Sequence, residues 1–252
     1  MNIKHPENSQ IPQLRRLWKE AFGDSDKFLD GFFSVAFCPS RSLCVIDGSK
    51  VIGALYWFDC QIKEEKYAYV YAVATALDYR GQGVCHKLME HTQLYLKRKD
   101  YRGILLVPGN GELFGFYSRM GYSVCSHIKE FQCKKMTEDI VIHSVGINEY
   151  AEIRRRLLPE GGVVQERENL EFLLGQAKAF AGEDFLLTAR LEGDTLVGME
   201  LLGNIEKAPA IVGALKCNKG VFRTVGEDRP FAMCRMLNPG NTTPYYFGLA
   251  FD

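Results

Sequence analysis

Val73-Ala74-Thr75-Ala76-Leu77-Asp78-Tyr79-Arg80-Gly81-Gln82-Gly83-Val84-Cys85 is the stretch on which the fold turns. An apolar strand, Tyr67 to Thr75, runs into it. From Gly83 to about Arg98, Val84, Leu88, His91 and Tyr95 recur at helical spacing, with Leu94 and Leu96 widening the apolar face. Two glycines at a strand-to-helix turn let backbone N–H groups converge, and the first helical turn adds unsatisfied donors and a positive dipole end. Such a turn is a cradle for phosphate. Glycine also serves tight turns for conformational reasons alone, so Gly-x-Gly by itself says little. No Gly-Lys-Ser/Thr follows, which excludes the lysine-bearing phosphate loop, and Val84-Cys85-His86 after Gly81-Gln82-Gly83 excludes the dinucleotide fingerprint.

Upstream, Ile11, Leu14, Leu17, Trp18 and Ala21 mark one helix, with Pro12 suited to its first turn, and Phe28, Phe32, Phe33 and Val35 a second after Asp24-Ser25. Leu43–Ile46 and Val51–Trp57 read as strands joined by the tight turn Asp47-Gly48-Ser49-Lys50. Downstream, Ile104-Leu105-Leu106-Val107 reads as a fully buried strand. Pro108-Gly109-Asn110-Gly111 ends it, a short helix runs to about Met120, Gly121 stops that helix, and Tyr122–Cys133 supplies further strand.

The second half restarts the programme. Tyr150, Ile153, Leu157 and Leu158 make a helix, Leu170, Phe172, Leu173 and Leu174 another, and Phe185–Leu191 and Thr195–Leu202 a hairpin about Glu192-Gly193-Asp194. Ile46-Asp47-Gly48 and Ile52-Gly53 reappear as Leu191-Glu192-Gly193 and Val197-Gly198, so the halves read as copies of one unit, 1–135 and 136–252, with the junction within 136–146. The second copy is degenerate: Gly161-Gly162 follows a helix and Gly175 sits inside one, so neither makes a phosphate cradle, and no second cofactor site is expected.

Over its 252 residues, 46% of them hydrophobic, the chain balances 31 Lys+Arg against 31 Asp+Glu, which excludes a disordered chain and a globally basic nucleic-acid binder. Arg154-Arg155-Arg156 reads as a solvated helix face. The start Met-Asn-Ile-Lys-His-Pro lacks a leader pattern and no run is long and apolar enough for the bilayer, so a cytoplasmic location is expected, with no membrane partner. Eight scattered cysteines, without Cys-x-x-Cys or a zinc-spaced His pair, read as reduced thiols, mostly small core fillers, and no metal is expected. Charge is uneven: residues 1–135 hold 19 basic and 14 acidic side chains and residues 136–252 hold 12 and 17. That asymmetry reads either as uneven solvated surface charge or as a field that would steer an anion to one half and a cation to the other.

Beyond the cradle stand Asn110 and then Phe116-Tyr117-Ser118-Arg119-Met120-Gly121-Tyr122. Together, Arg80-x-x-Gly83-x-Cys85, Asn110 and Phe116-Tyr117-x-x-x-Gly121-Tyr122 resemble the GNAT superfamily of acyl-CoA-dependent N-acetyltransferases, most closely over residues 67–124. Cys85 stands where that pattern has Gly or Ala. The resemblance implies an α/β (α+β) fold with a mixed, mostly antiparallel sheet flanked by helices, and acetyl-CoA as cosubstrate. It also implies roles. Backbone amides of Arg80, Gly81, Gln82, Gly83, Val84 and Cys85 would hold the pyrophosphate, and the backbone of Val73, Ala74 and Thr75 would pair with the pantetheine arm. Asn110 would touch that arm, and Tyr117 would protonate the leaving thiolate. A phenol near pKa 10 can serve a thiol near 8.5 without strong perturbation.

The doubled architecture resembles the enhanced-intracellular-survival type, in which a degenerate GNAT half and then a sterol-carrier-like domain follow the active half, and the terminal carboxylate can act as base. About 50 residues follow the second hairpin, so a full third domain is not expected. The apolar tail Pro244–Phe251 is expected to pack as a strand and to bring Asp252 to the acceptor pocket. No acid lies between Tyr67 and Thr75, and Asp59 reads first as a solvated hairpin residue and only second as a base. The expected acceptor is a small-molecule or peptide amine, and nucleic acid is not expected. The competing reading is a non-catalytic acyl-CoA sensor.

Overall fold

The computed structural model describes residues 1–240 and 242–250. They form two compact units interleaved along the chain. The first comprises Met1–Leu106, Gly115–Ser123 and the segment beginning at Cys234, and the second Val107–Phe114, Val124–Met233 and the segment beginning at Thr242.

In the first unit β1 (Asn2–Lys4) leads to α1 (Ile11–Phe22), which carries Pro12 in its first turn and ends on Gly23 at φ 74°. Ser25 caps α2 (Asp26–Gly31), accepting from the Phe28 N–H at 3.2 Å, and the helix widens into a π turn over Phe32–Ala36. The two helices close on Trp18, whose ring centroid lies 4.5 Å from Phe32 and 5.3 Å from Tyr56, and whose indole N–H donates to Asp24 at 2.8 Å. Then β2 (Ser42–Asp47), β3 (Lys50–Ile62) and β4 (Glu65–Thr75) run antiparallel, with Gly48 at φ 58° in the first turn. A helix, α3 (Val84–Arg98), crosses over to β5 (Gly103–Leu106), parallel to β4.

The α3 core face is rotated from the one expected. Val84, Leu88, Met89, Thr92, Gln93 and Leu96 are buried, while His91 and Leu94 are exposed. Thr92 can be buried because its hydroxyl donates to the Leu88 carbonyl at 2.8 Å, so a polar residue shares the apolar stripe.

After α4 (Gly111–Ser118), β6 (Ser123–Lys134) and β7 (His143–Ser144), the second unit holds α5 (Ile147–Leu157), β8 (Val164–Gln165) and α6 (Glu168–Gln176). Next come β9 (Lys178–Ala181), β10 (Phe185–Glu192), β11 (Thr195–Gly203), α7 (Ala208–Ala214), β12 (Lys219–Val225) and β13 (Arg229–Met236). Strands β9, β10 and β11 are antiparallel, β12 joins parallel to β11, and β6 closes against β12. Phe222 and Phe131 stack at 5.5 Å in a core shared with Phe185, Leu187 and Ile211.

The strand plan repeats, but one hairpin further along than the glycine spacing indicates. In each unit a short edge strand, two helices and three antiparallel strands precede a crossover helix and a parallel strand. The crossover follows β4 in the first unit and β11 in the second, so the β10–β11 hairpin corresponds to β3–β4, not β2–β3. Tight Gly turns serve any two-residue hairpin, so their spacing cannot fix which strand follows.

Two further expectations are corrected. Arg154 is no part of a solvated face: it is 2% exposed, grips Glu200 with two N–H donors at 2.7 and 3.1 Å and donates a third to the Val163 carbonyl at 2.9 Å. Neighbouring Arg155 does face solvent and pairs with Glu166. The apolar tail packs, though not as a strand. Tyr246, Phe247, Leu249 and Ala250 are buried in an extended run tied by one bridge to Gly162, by the Val163 N–H to the Tyr246 carbonyl at 2.8 Å and by the Phe247 N–H to Ser126 at 2.9 Å. Gly161 suits this approach twice over, since its φ is 76° and a Cβ there would meet the Tyr245 Cβ at 3.0 Å. Asp252 lies outside the described residues.

Removing one partner of a buried ion pair strands the other charge. We expect Arg154→Met to lower unfolding free energy by about 3–5 kcal/mol in urea titrations, and Arg154→Met with Glu200→Leu to recover most of it.

Candidate functional site

β4 is irregular where it matters. Its register with β3 passes from Tyr56↔Tyr71 to Ala54↔Ala74, so one extra residue bulges out, and Ala72 there takes φ 49°. An L-residue in this region costs about 1–2 kcal/mol, so the surrounding sheet must hold it. Among the described residues the β4–β5 register covers Tyr67, Ala68 and Tyr69 and then stops. Ala74 and Thr75 therefore keep β3 on one side, and from Val73 onward the strand lies past the β5 register on the other, a ready edge for an extended ligand. Gly53 on β3 lets the start of α3 pack closely on the sheet: a Cβ there would press on Val84 at 3.1 Å and on Val45 at 3.3 Å.

The loop after β4 is pinned at both ends. The Ala76 N–H donates to Ile52 at 2.9 Å and the Leu77 N–H to Glu20 at 2.5 Å. Arg80 folds its Nε back to the Thr75 carbonyl at 3.2 Å, and Gln82 donates to the Asp78 carbonyl at 2.8 Å. Gly81 and Gly83 sit at φ 75° and 77°, and a Cβ on either would project into open space. Gly83 is the N-cap of α3, its carbonyl accepting from Lys87 at 3.0 Å. The first N–H groups of the helix have no acceptor within it. Glycines that turn the backbone outward, donors at a helix start and empty space above them are what a pyrophosphate requires.

One turn into α3, burial pushes the Cys85 thiol up to about 11, so it stays protonated at neutral pH. It lies beside Tyr117, in the last turn of α4, whose ring is 5.8 Å from Tyr122 and 5.2 Å from Phe116. Burial, then the neighbouring Cys85 and Tyr122, push the Tyr117 phenol well above its usual range. The unperturbed phenol expected for an acid is thus corrected: the chain wraps Tyr117 in apolar surroundings that disfavour its anion. Asn110 is exposed, and its side-chain oxygen accepts from the Leu113 N–H at 3.1 Å, capping α4.

Asp59 is not a simple solvated residue. It accepts from the Tyr101 hydroxyl at 2.5 Å and faces Lys66 at 3.2 Å and Arg41 at 3.7 Å. Among the described residues no group of three or more His, Cys, Asp and Glu gathers as metal ligands, no helix is long and apolar enough to cross a membrane, and no disulfide forms.

The corresponding turn of the second unit, from β11 to α7, holds no cradle. Gly203 is left-handed at φ 84°, but a Cβ on it would strike the Asp184 carbonyl oxygen at 2.1 Å, so this glycine serves close packing. Thr224 donates to the Leu201 carbonyl at 2.7 Å, keeping β12 against the far end of β11. Sequence reasoning missed the Ala72 bulge, the role of Gly53 and one further residue, Arg235. An alanine at positive φ leaves no trace in composition or periodicity, and Arg235 lies on a strand 115 positions from the carbonyl it binds.

The family model of the acetyltransferase (GNAT) domain matches residues 2–125. In fold the chain is similar to a GCN5-related N-acetyltransferase from Kribbella flavida, at 18% identity and a TM-score of 0.75 over 93% of this chain and 70% of that one. It is also similar to one from Anabaena variabilis, at 16% and 0.72 over 94% and 73%, and to Eis1 from Mycobacterium abscessus, at 12% and 0.70 over 94% and 74%. No curated protein matches. A sheet that parts beside a glycine cradle, a buried tyrosine one helix later and the family match agree: residues 2–125 are an acetyltransferase domain of the GNAT family.

Proposed function

We propose that this chain moves an acetyl group from acetyl-CoA to a primary amine by direct attack in a ternary complex, in the cytoplasm. The observation that carries the reading is the pair of left-handed glycines, 81 and 83, opening onto the start of α3 beside a β4 edge released from β5. In this reading the first compact unit, mostly within residues 1–135, is the catalytic domain, and the second, mostly within 136–252, is a degenerate GNAT-like domain that binds no acyl-CoA. Amides of Arg80 to Cys85 hold the pyrophosphate, Val73 to Thr75 pair with the pantetheine arm, and Asn110 contacts it. An N–H at the Ala72 bulge polarises the thioester carbonyl.

In the reaction the neutral amine nitrogen attacks the carbonyl carbon, the carbon–sulfur bond breaks, the nitrogen gives up one of its two protons as the amide forms, and the departing thiolate takes one from Tyr117, which that released proton restores. An alkyl ammonium near pKa 10.4 must first lose one, a task assigned to the terminal carboxylates of Asp252. Tyr117 keeps its proton to high pH, so its contribution is a hydrogen bond donated to sulfur as negative charge develops, followed by proton delivery. The acceptor is a small-molecule or peptide amine. The engagement of Asp59 by three partners favours the second reading, a sensor that binds acyl-CoA without turnover. Tight acetyl-CoA binding with no CoA release from any amine in a broad panel would decide for it.

Two outcomes check the leading reading. Tyr117→Phe is expected to lower kcat about 100-fold with KM for acetyl-CoA within threefold, equally from pH 6 to 9 because the phenol does not titrate there. Gly83→Val puts a side chain into the cradle at positive φ, and calorimetry should find acetyl-CoA binding weakened at least 30-fold with Tm lowered by only a few degrees.

A further inference from the structure

The tyrosine-bearing helix α4 ends in a cluster of backbone bonds that nothing in its own segment completes. The Tyr117 carbonyl accepts from the Met120 N–H at 2.9 Å and from the Tyr122 N–H at 3.1 Å, and the Gly121 N–H returns to Ser118 at 2.9 Å. The Met120 carbonyl is taken from outside this turn, by the guanidinium of Arg235, 115 positions later on β13. The same guanidinium covers Gly121: a Cβ there would meet its Nη1 at 3.2 Å and its Cζ at 3.4 Å. The Arg235 backbone runs close to β5, its carbonyl oxygen 3.2 Å from where a Cβ on Gly103 would stand. A cation at a helix C-terminus also meets the negative end of the dipole. All these residues belong to the first compact unit.

We propose that Arg235 is a positioning residue for the transfer: it clamps the C-terminal turn of α4 and thereby sets where the Tyr117 hydroxyl stands. This rests on the reading of Tyr117 as the group that serves the leaving sulfur. It assigns the late strand a part in the chemistry, and it gives Gly121 two duties, a left-handed turn at φ 82° and a clear face for the guanidinium. A charge alone does not suffice, because the flat guanidinium both donates to Met120 and lies over Gly121, whereas an ammonium offers a point charge.

The test uses the full-length chain, CoA release with the amine that wild type turns over, and thermal melts. Arg235→Met is expected to lower kcat at least 10-fold with KM for acetyl-CoA within threefold, and Arg235→Lys to recover only part of the loss. In a Tyr117→Phe background Arg235→Met should cost less than twofold more, since the positioned group is gone. An equal loss in both backgrounds, or wild-type kcat in Arg235→Met, overturns the clamp, and should Arg235→Met fail to fold, Arg235→Gln takes its place. A Tyr117→Phe enzyme as active as wild type instead overturns the reading of Tyr117. The clamp has a readout free of turnover: 3-fluorotyrosine at position 117 should give a fluorine resonance that shifts and broadens in Arg235→Met, and an unchanged line overturns it.

Discussion

The candidate site of the first unit depends on β4 parting from β5: among the described residues their register ends at Tyr69, six residues before β4 does. A central strand normally satisfies its backbone on both edges, and leaving one edge open is unfavourable unless something replaces the missing partner. The register with β5 ends at Tyr69, the bulge at Ala72 turns the strand, and the chain leaves Thr75 for a loop pinned by Glu20, Ile52 and the side chain of Arg80. The open edge and the donors at the start of α3 are thus presented together. The bulge strain is balanced by an aromatic layer behind it, in which Trp18, Phe32, Tyr56 and Tyr71 lie within about 6.2 Å of one another in several pairs.

The second unit shows what the same plan becomes without that constraint. Its crossover helix is 7 residues long against 15 in α3, its turn carries no outward-facing glycine, and its parallel pair is laced together by Thr224. Its polarity has gone into a buried knot of Arg154, Glu200, Tyr150 and Thr188, with the tail lying close by at Tyr246. A bidentate pair with further hydrogen bonds is a device of conformational uniqueness more than of stability. Interleaving of the units along the chain, seen in Cys234–Met236 returning to the first, means that neither half of the sequence is by itself one compact body.

Burial also recasts the chemistry. Cys85 and Tyr117 share one apolar surrounding, and both hold their protons more tightly there than in water. Under the proposed reading of Tyr117, what counts is where its hydroxyl stands, and that depends on how α4 is held.

Local pattern was enough for much of this. The strand, Gly81-Gln82-Gly83, the helix after it, the cap at Gly121 and both Gly-turn hairpins are legible because each depends on neighbours within a few residues: φ, helix period and strand alternation are short-range properties. The tertiary structure alone decided which strands correspond, which face of α3 is buried, that Arg154 is internal, that Ala72 is left-handed and that Arg235 grips Met120. Each of these depends on a partner far along the chain or on competition for space in a close-packed interior, and neither is written into any short stretch of residues.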